Sequence, residues 1–300
     1  MKPFFKYWLG IFQRALKLWL DNNAFAYAGA LAFFTMFSIA PVVIVLVSII
    51  GFFFGEDAAQ GQIVAQLEQT MGQEAAQAVE TAVARSQLQG GNILTTAFGV
   101  LAMLLGATTV FAQMQRSLNN IWSVVPKPSR NSIFLLLKAR ALSLTVVLSI
   151  GFVLLVSLSL SVALRAVIGY AEDWITVPAL VLTSLEFSIS LLVISLLFGT
   201  IFRVLPDVVL SWKDVMFGAV FTALCFSLGR SLIAMYLAYA APASAHGAAG
   251  SLVMLLLWVN YSSLILLFGA ALTRAHLEAR EKPVVPRNTA VKVHSELVED

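Results

Sequence analysis

Glu186, Arg230 and Asn260 are a carboxylate, a guanidinium and an amide set inside three separate apolar stretches, 177–201, 215–238 and 251–273. Stretches of that length cross a hydrocarbon core of about 30 Å at about 1.5 Å per residue. An ionisable group inside such a span is costly unless paired or wetted, so each one marks a site by default. Glu186 and Arg230 fall about 12–14 Å below the same surface, and Asn260 near the same depth. Three arrangements fit these residue types. A water-filled cavity would let the acid and the base hold a polar substrate or pass protons, beside Tyr261, Ser262 and Ser263. A buried ion pair would pin two spans together. Arg230 alone would reach outward to the headgroups.

A second concentration of charge is the turn Arg203-Val-Leu-Pro206-Asp207, which runs into Ser211-Trp212-Lys213-Asp214. Pro206 stops the preceding helix, and Asp207 or Ser211 can cap the next one. Arg203, Pro206, Asp207 and Trp212 form a candidate cytoplasmic hinge. Pro41 is expected to kink the first span. His246, Gly247 and Gly250 mark an outer loop of small residues.

Hydrolytic chemistry finds little support. The three histidines, His246, His276 and His294, lie in an outer loop, a helix end and a tail, with no His-x-His or His-Glu-x-x-His spacing. The single cysteine, Cys225, excludes an intramolecular disulfide and a cysteine-based zinc site. No Gly-x-x-x-x-Gly-Lys phosphate loop occurs. No metal, no cofactor, no nucleic-acid partner and no enzymatic activity are expected.

The elements that must position the polar residues follow from composition. Hydrophobic residues make up 59% of the chain and charged ones 12%, about half the charged share of a soluble domain. The expected fold is all-α and polytopic, with six spans at about 24–54, 93–111, 138–164, 177–201, 215–238 and 251–273. Residues 1–22 read as a basic amphipathic helix suited to the headgroup layer, and 23–276 as the membrane domain. Residues 56–91, with Glu56, Asp57, Glu68, Glu74 and Glu80, read as helices outside the bilayer. Their stripe is Ile63, Leu67, Met71, Ala75, Val79 and Val83. Residues 113–125 read as a separate amphipathic piece. In it Met114, Leu118, Ile121 and Trp122 face one way, and Arg116, Asn119 and Asn120 largely another. Residues 277–300 read as a disordered cytoplasmic tail. Six spans place all but three of the 19 Lys and Arg residues on one side, the exceptions being Arg85, Arg165 and Arg230. That bias puts both termini in the cytoplasm.

Four stretches carry a family resemblance: Ala28-Gly-Ala-Leu-Ala-Phe-Phe-Thr-Met-Phe-Ser38-Ile-Ala-Pro41; Ile121-Trp122-Ser-Val; Phe202-Arg203-Val-Leu-Pro206-Asp207 with Trp212 and Gly218-Ala219; and Gly247-Ala-Ala-Gly250 before Leu257-Trp258 and Gly269-Ala270. In this order they resemble the YihY/BrkB family of bacterial inner-membrane proteins, over about residues 10–275. The family often has tyrosines where this chain has Phe33, Phe34 and His246. The resemblance implies a six-span protein of the bacterial inner membrane. Members have carried ribonuclease and virulence labels, and others are suspected of moving lipids or envelope components. The expected function is transport or lipid handling through a polar cavity. The alternative is a non-catalytic envelope assembly factor. Expected partners are membrane lipids, and either a second copy or an envelope protein at the acidic loop 56–91.

Overall fold

The computed structural model describes residues 2–55, 61, 63–65, 68, 76–77, 79–81, 93–127, 179–240 and 247–293, with part of the side chains inside the helices. The helices are α1 (Lys2–Asp21), α2 (Ala24–Phe54), α3 (Ile93–Ile121), α4 (Ala179–Val204), α5 (Trp212–Ala240) and α6 (Gly247–Ala279). Two short strands, β1 (Val124–Pro126) and β2 (Ala290–Lys292), pair antiparallel with Val125 opposite Val291. Among the described residues, three helices are long and apolar enough to cross a membrane, over Phe187–Val204, Trp212–Leu232 and Val253–Ala279. A shorter apolar stretch covers Ala24–Ile39. The expected span at 138–164 lies outside the described residues.

The main core gathers side chains from α1, α3, α4, α5 and α6 around Leu118, Trp122, Phe202, Leu205, Leu267 and Leu272. Helices α1, α2, α4, α5 and α6 still leave large apolar side chains exposed. On α5 these include Leu224, Leu228 and Leu232, spaced every four residues. A soluble protein rarely exposes so much apolar surface, whereas acyl chains cover it without cost.

Four sequence expectations are corrected here. The piece expected at 113–125 is not separate, because α3 runs unbroken to Ile121. Neither Gly nor Pro falls between 107 and 121 to interrupt it. Asn119 does not share the outward face of Arg116, since it is 5% exposed. The fold is not purely α. The segment after α6 is not a disordered tail as far as Val293: it returns along the bundle, with Val208 bridged to Pro286 and Ala290 buried. Residues 294–300 lie outside the described residues.

The first helix packs against the bundle. Trp8 stacks on His276 (5.9 Å, 8° between planes), Phe12 meets Phe268, and the Trp19 indole donates to the Leu264 carbonyl at 3.1 Å. Helix α1 therefore packs across α6. Its buried face is Ile11, Ala15 and Leu18, and a second apolar stripe of Phe5, Leu9, Leu16 and Leu20 stays exposed.

Candidate functional site

Two sites emerge, at different heights in the bundle. The deeper one lies at the α5/α6 crossing. The Tyr261 hydroxyl donates to the Cys225 carbonyl at 3.1 Å. Its ring lies against Gly229, where an added Cβ would stand 2.1 Å from ring atoms. Arg230 follows Gly229 and Asn260 precedes Tyr261 in sequence, so both lie near the level of this contact. Both are half-buried, and among the described residues neither has a hydrogen bond or ion pair. Glu186 lies in α4, and its side chain is outside the described residues. Arg230 lies two residues before the end of the apolar stretch Trp212–Leu232, in a helix of 29 residues that is longer than a bilayer core is thick. A half-buried guanidinium there takes water, a lipid phosphate or a counter-charge.

The second site is a polar clasp where α3, α4 and α6 end and α2 and α5 begin. Ser211 precedes α5, and both its backbone N–H (2.9 Å) and its hydroxyl (2.6 Å) donate to Asp214. The backbone contact is the half of a capping box in which an acid three residues on accepts the N-cap N–H. Lys282 then reaches the buried Asp214 carboxylate at 2.6 Å. Asn119 pairs reciprocally with the α4–α5 turn: its amide donates to the Asp207 carboxylate at 2.7 Å and accepts the Asp207 N–H at 2.8 Å. Gln115 adds a third contact at 3.3 Å. On the other side of the same turn, the Arg287 N–H donates to the Asp207 carbonyl, and its guanidinium to the carbonyls of Arg203 and Val208. The Arg203 guanidinium lies 5.0 Å from the centre of the Trp212 ring.

Arg203, Pro206, Asp207 and Trp212 are thus brought together, held by α3 on one flank and the C-terminal segment on the other. Replacing Asn119 tests how much the flank on α3 matters. Asn119→Ala removes two hydrogen bonds to a charged, buried partner and is expected to cost about 2–4 kcal/mol. Asn119→Asp sets a second carboxylate against Asp207. It is expected to melt lower than Asn119→Ala, because like charges face each other at a buried turn. Thermal unfolding of the purified variants reads both effects.

The other sequence candidates separate. Pro41 lies within α2, whose backbone stays helical through it. Gly247 and Gly250 are not in a loop but form the first turn of α6. His246 is outside the described residues. Sequence reasoning missed Asn119, Arg274, Glu278 and Arg287, all polar groups near helix ends whose partners are remote in the chain. It also missed the role of two Gly-x-x-x-Thr repeats, Gly218 with Thr222 and Gly269 with Thr273, although that spacing was a usable signal. These repeats face each other across α5 and α6.

Membrane-length helices with exposed apolar stripes, joined by a polar clasp at one end, define a helical membrane protein. The family model described as virulence factor BrkB matches residues 15–292, and the chain belongs to that family. It is 28% identical over 262 residues to a UPF0761 membrane protein of Mannheimia succiniciproducens, covering 84% of each chain. It is 26% identical over 256 residues to a protein of Bacillus subtilis named putative ribonuclease-like protein YfkH, covering 84% of this chain and 89% of that one. A UPF0761 membrane protein of Stenotrophomonas maltophilia is 26% identical over 274 residues, covering 88% of this chain and 60% of that longer one. No solved structure matches the chain.

Proposed function

We propose that this protein is a six-span protein of the bacterial inner membrane, with both termini cytoplasmic, that moves a lipid or another envelope component through a polar cavity. The observation that carries this reading is Arg230, half-buried in a membrane-length helix with no partner among the described residues. A fixed cation there suits an anionic headgroup passing through water-accessible space. The topology supports six spans. Helix α3 and strand β1 reach the clasp, while α4 also ends there, so the chain between 127 and 179 joins opposite ends of the bundle. Positive charge supports the orientation, since Arg14, Arg203, Lys282 and Arg287 all meet at the clasp.

A structural or assembly role is the second reading, favoured by the many bonds that fasten the clasp. Nuclease chemistry is not proposed. His276 is packed between the Trp8 and Phe217 rings, an environment that withholds an imidazole from a phosphodiester.

Accessibility decides between transport and assembly. In a Cys225→Ser background, Asn260→Cys is expected to react with a membrane-impermeant maleimide from one side in spheroplasts or inverted vesicles. A folded protein that reacts from neither side would remove the cavity and leave the assembly reading.

A further inference from the structure

Two apolar stretches meet at the α4–α5 turn. Phe187–Val204 closes one residue after Arg203, and Trp212–Leu232 opens on Trp212. The Arg203 guanidinium, 5.0 Å from the centre of the Trp212 ring, therefore stands where apolar helix gives way to the polar clasp. At such a boundary tryptophan and cations meet lipid headgroups. The turn carries two acids, and both are already engaged. Asp207 accepts from Asn119 and Gln115, and Asp214 from Ser211 and Lys282. The Arg287 guanidinium is engaged too, on the carbonyls of Arg203 and Val208. The half-buried Arg203 and the exposed Lys213 are left over: among the described residues neither side chain has a hydrogen bond or an ion pair.

The Trp212 ring is 39% exposed and lies over Gly199, where an added Cβ would stand 3.1 Å from it. Leu192, Leu196, Gly199 and Arg203 follow at spacings of four, three and four, so they share one face of α4. Leu192 and Leu196 are exposed on it.

We propose that Arg203 and Trp212 hold the phosphate of an acidic phospholipid in the leaflet at the clasp end, with one acyl chain along Leu192 and Leu196 and with Lys213 adding to the attraction. A guanidinium stacked on a ring keeps its N–H fork free for phosphate oxygens. An acidic phospholipid supplies both the missing negative charge and the apolar cover in one molecule. A free phosphate supplies only the charge, and a zwitterionic lipid brings a cation that Arg203 and Lys213 repel. The site is independent of the cavity at Arg230, since it serves an assembly protein equally well.

The test follows the melting temperature of the full chain in detergent, titrated with phosphatidylglycerol, phosphatidylcholine or glycerol 3-phosphate. Phosphatidylglycerol alone is expected to raise it saturably. Arg203→Gln is expected to weaken that apparent affinity about fivefold, whereas Lys17→Gln, which removes an exposed charge from α1, leaves it unchanged. Arg203→Lys keeps the charge without the planar stack, so a smaller loss is expected, and this variant carries the test if Arg203→Gln does not fold. Equal stabilisation by phosphatidylcholine, or equal weakening by Lys17→Gln, overturns the site in favour of general attraction to the bilayer. Stabilisation by glycerol 3-phosphate overturns the lipid as its ligand. Full affinity in Arg203→Lys overturns the role of the stacked guanidinium.

Discussion

Gly269→Val is expected to abolish the folded protein, and Gly269→Ala to weaken it in a way that a second substitution repairs. A Cβ at Gly269 would stand 1.8 Å from the Thr222 hydroxyl oxygen and 2.9 Å from the tip of the Phe202 ring. The crossing is close because each helix offers a glycine to the other's threonine. The Thr222 hydroxyl donates to the Gly218 carbonyl at 2.6 Å and the Thr273 hydroxyl to the Gly269 carbonyl at 2.8 Å, so both hydroxyls are satisfied within their own helices. Small residues of this kind let membrane helices approach where no hydrophobic effect drives them together. Overpacking by one methyl costs about 1–3 kcal/mol. Thr222→Ala removes the nearest obstacle, a side-chain oxygen, so the double variant Gly269→Ala/Thr222→Ala is expected to regain part of that loss. Gly218→Ala behaves differently. Its Cβ would meet the Thr273 oxygen at 2.0 Å and also the Gly269 carbonyl oxygen at 2.7 Å. The second obstacle is backbone, so Thr273→Ala is not expected to rescue it. Melting temperatures of detergent-solubilised protein followed by size-exclusion fluorescence test the asymmetry. Equal rescue of both, or no loss in either alanine variant, would refute the crossing described here.

The same two helices show what a sequence can and cannot convey. Their existence was legible because a membrane-length apolar run has few alternatives, and the structure extends those runs by only a few residues at each end. The end of α4 was legible because Pro206 stops a helix, and the start of α5 because Ser211 and Asp214 form a local cap. Pairing across the fold was not legible. Asn119 looked like a solvent-facing amide because its own helix offers it Arg116 and Asn120 as neighbours, and its true partner, Asp207, is 88 residues away. The segment after α6 looked disordered because charges and prolines dominate it. Yet Val284, Pro286 and Ala290 carry enough apolar surface to hold it once the clasp exists. Val79 lay on a stripe that periodicity identified as helical. Periodicity fixes which face is apolar, not which surface covers it, and here the cover is Val43 of α2 with Leu255 and Trp258 of α6. Gly218 and Gly269 stood within the family-like stretches without a reason until the α5/α6 contact supplied one.

Arg274→Met is expected to be the most damaging single change at the clasp. Arg274 is 9% exposed. Its guanidinium bonds the Ile121 carbonyl and the Ser123 hydroxyl at the end of α3 through Nη1, and Glu278 at 2.9 Å through Nε. Glu278 in turn takes Arg14 of α1 at 2.8 Å. One side chain thus supplies the cation that the carbonyl end of α3 favours and joins three helices. A methionine of similar length leaves the Ile121 carbonyl without this donor and Glu278 with Arg14 alone, and losing these charge-assisted hydrogen bonds is expected to cost about 2–4 kcal/mol. Arg274→Lys keeps the charge, but a single ammonium cannot serve both the α3 end and Glu278, so a smaller yet clear loss is expected. Arg14→Ala is expected to cost about 0–1 kcal/mol, because Arg14 is largely exposed and its pair with Glu278 is screened. The order of melting temperatures, with Arg14→Ala highest and Arg274→Met lowest, follows from geometry rather than from net charge, since Arg14→Ala and Arg274→Met each remove one positive charge. Equal shifts in those two would mean that the clasp is held by the sum of its charges. A large gap would mean that it is held by the one guanidinium able to bond the end of α3 and Glu278 at once.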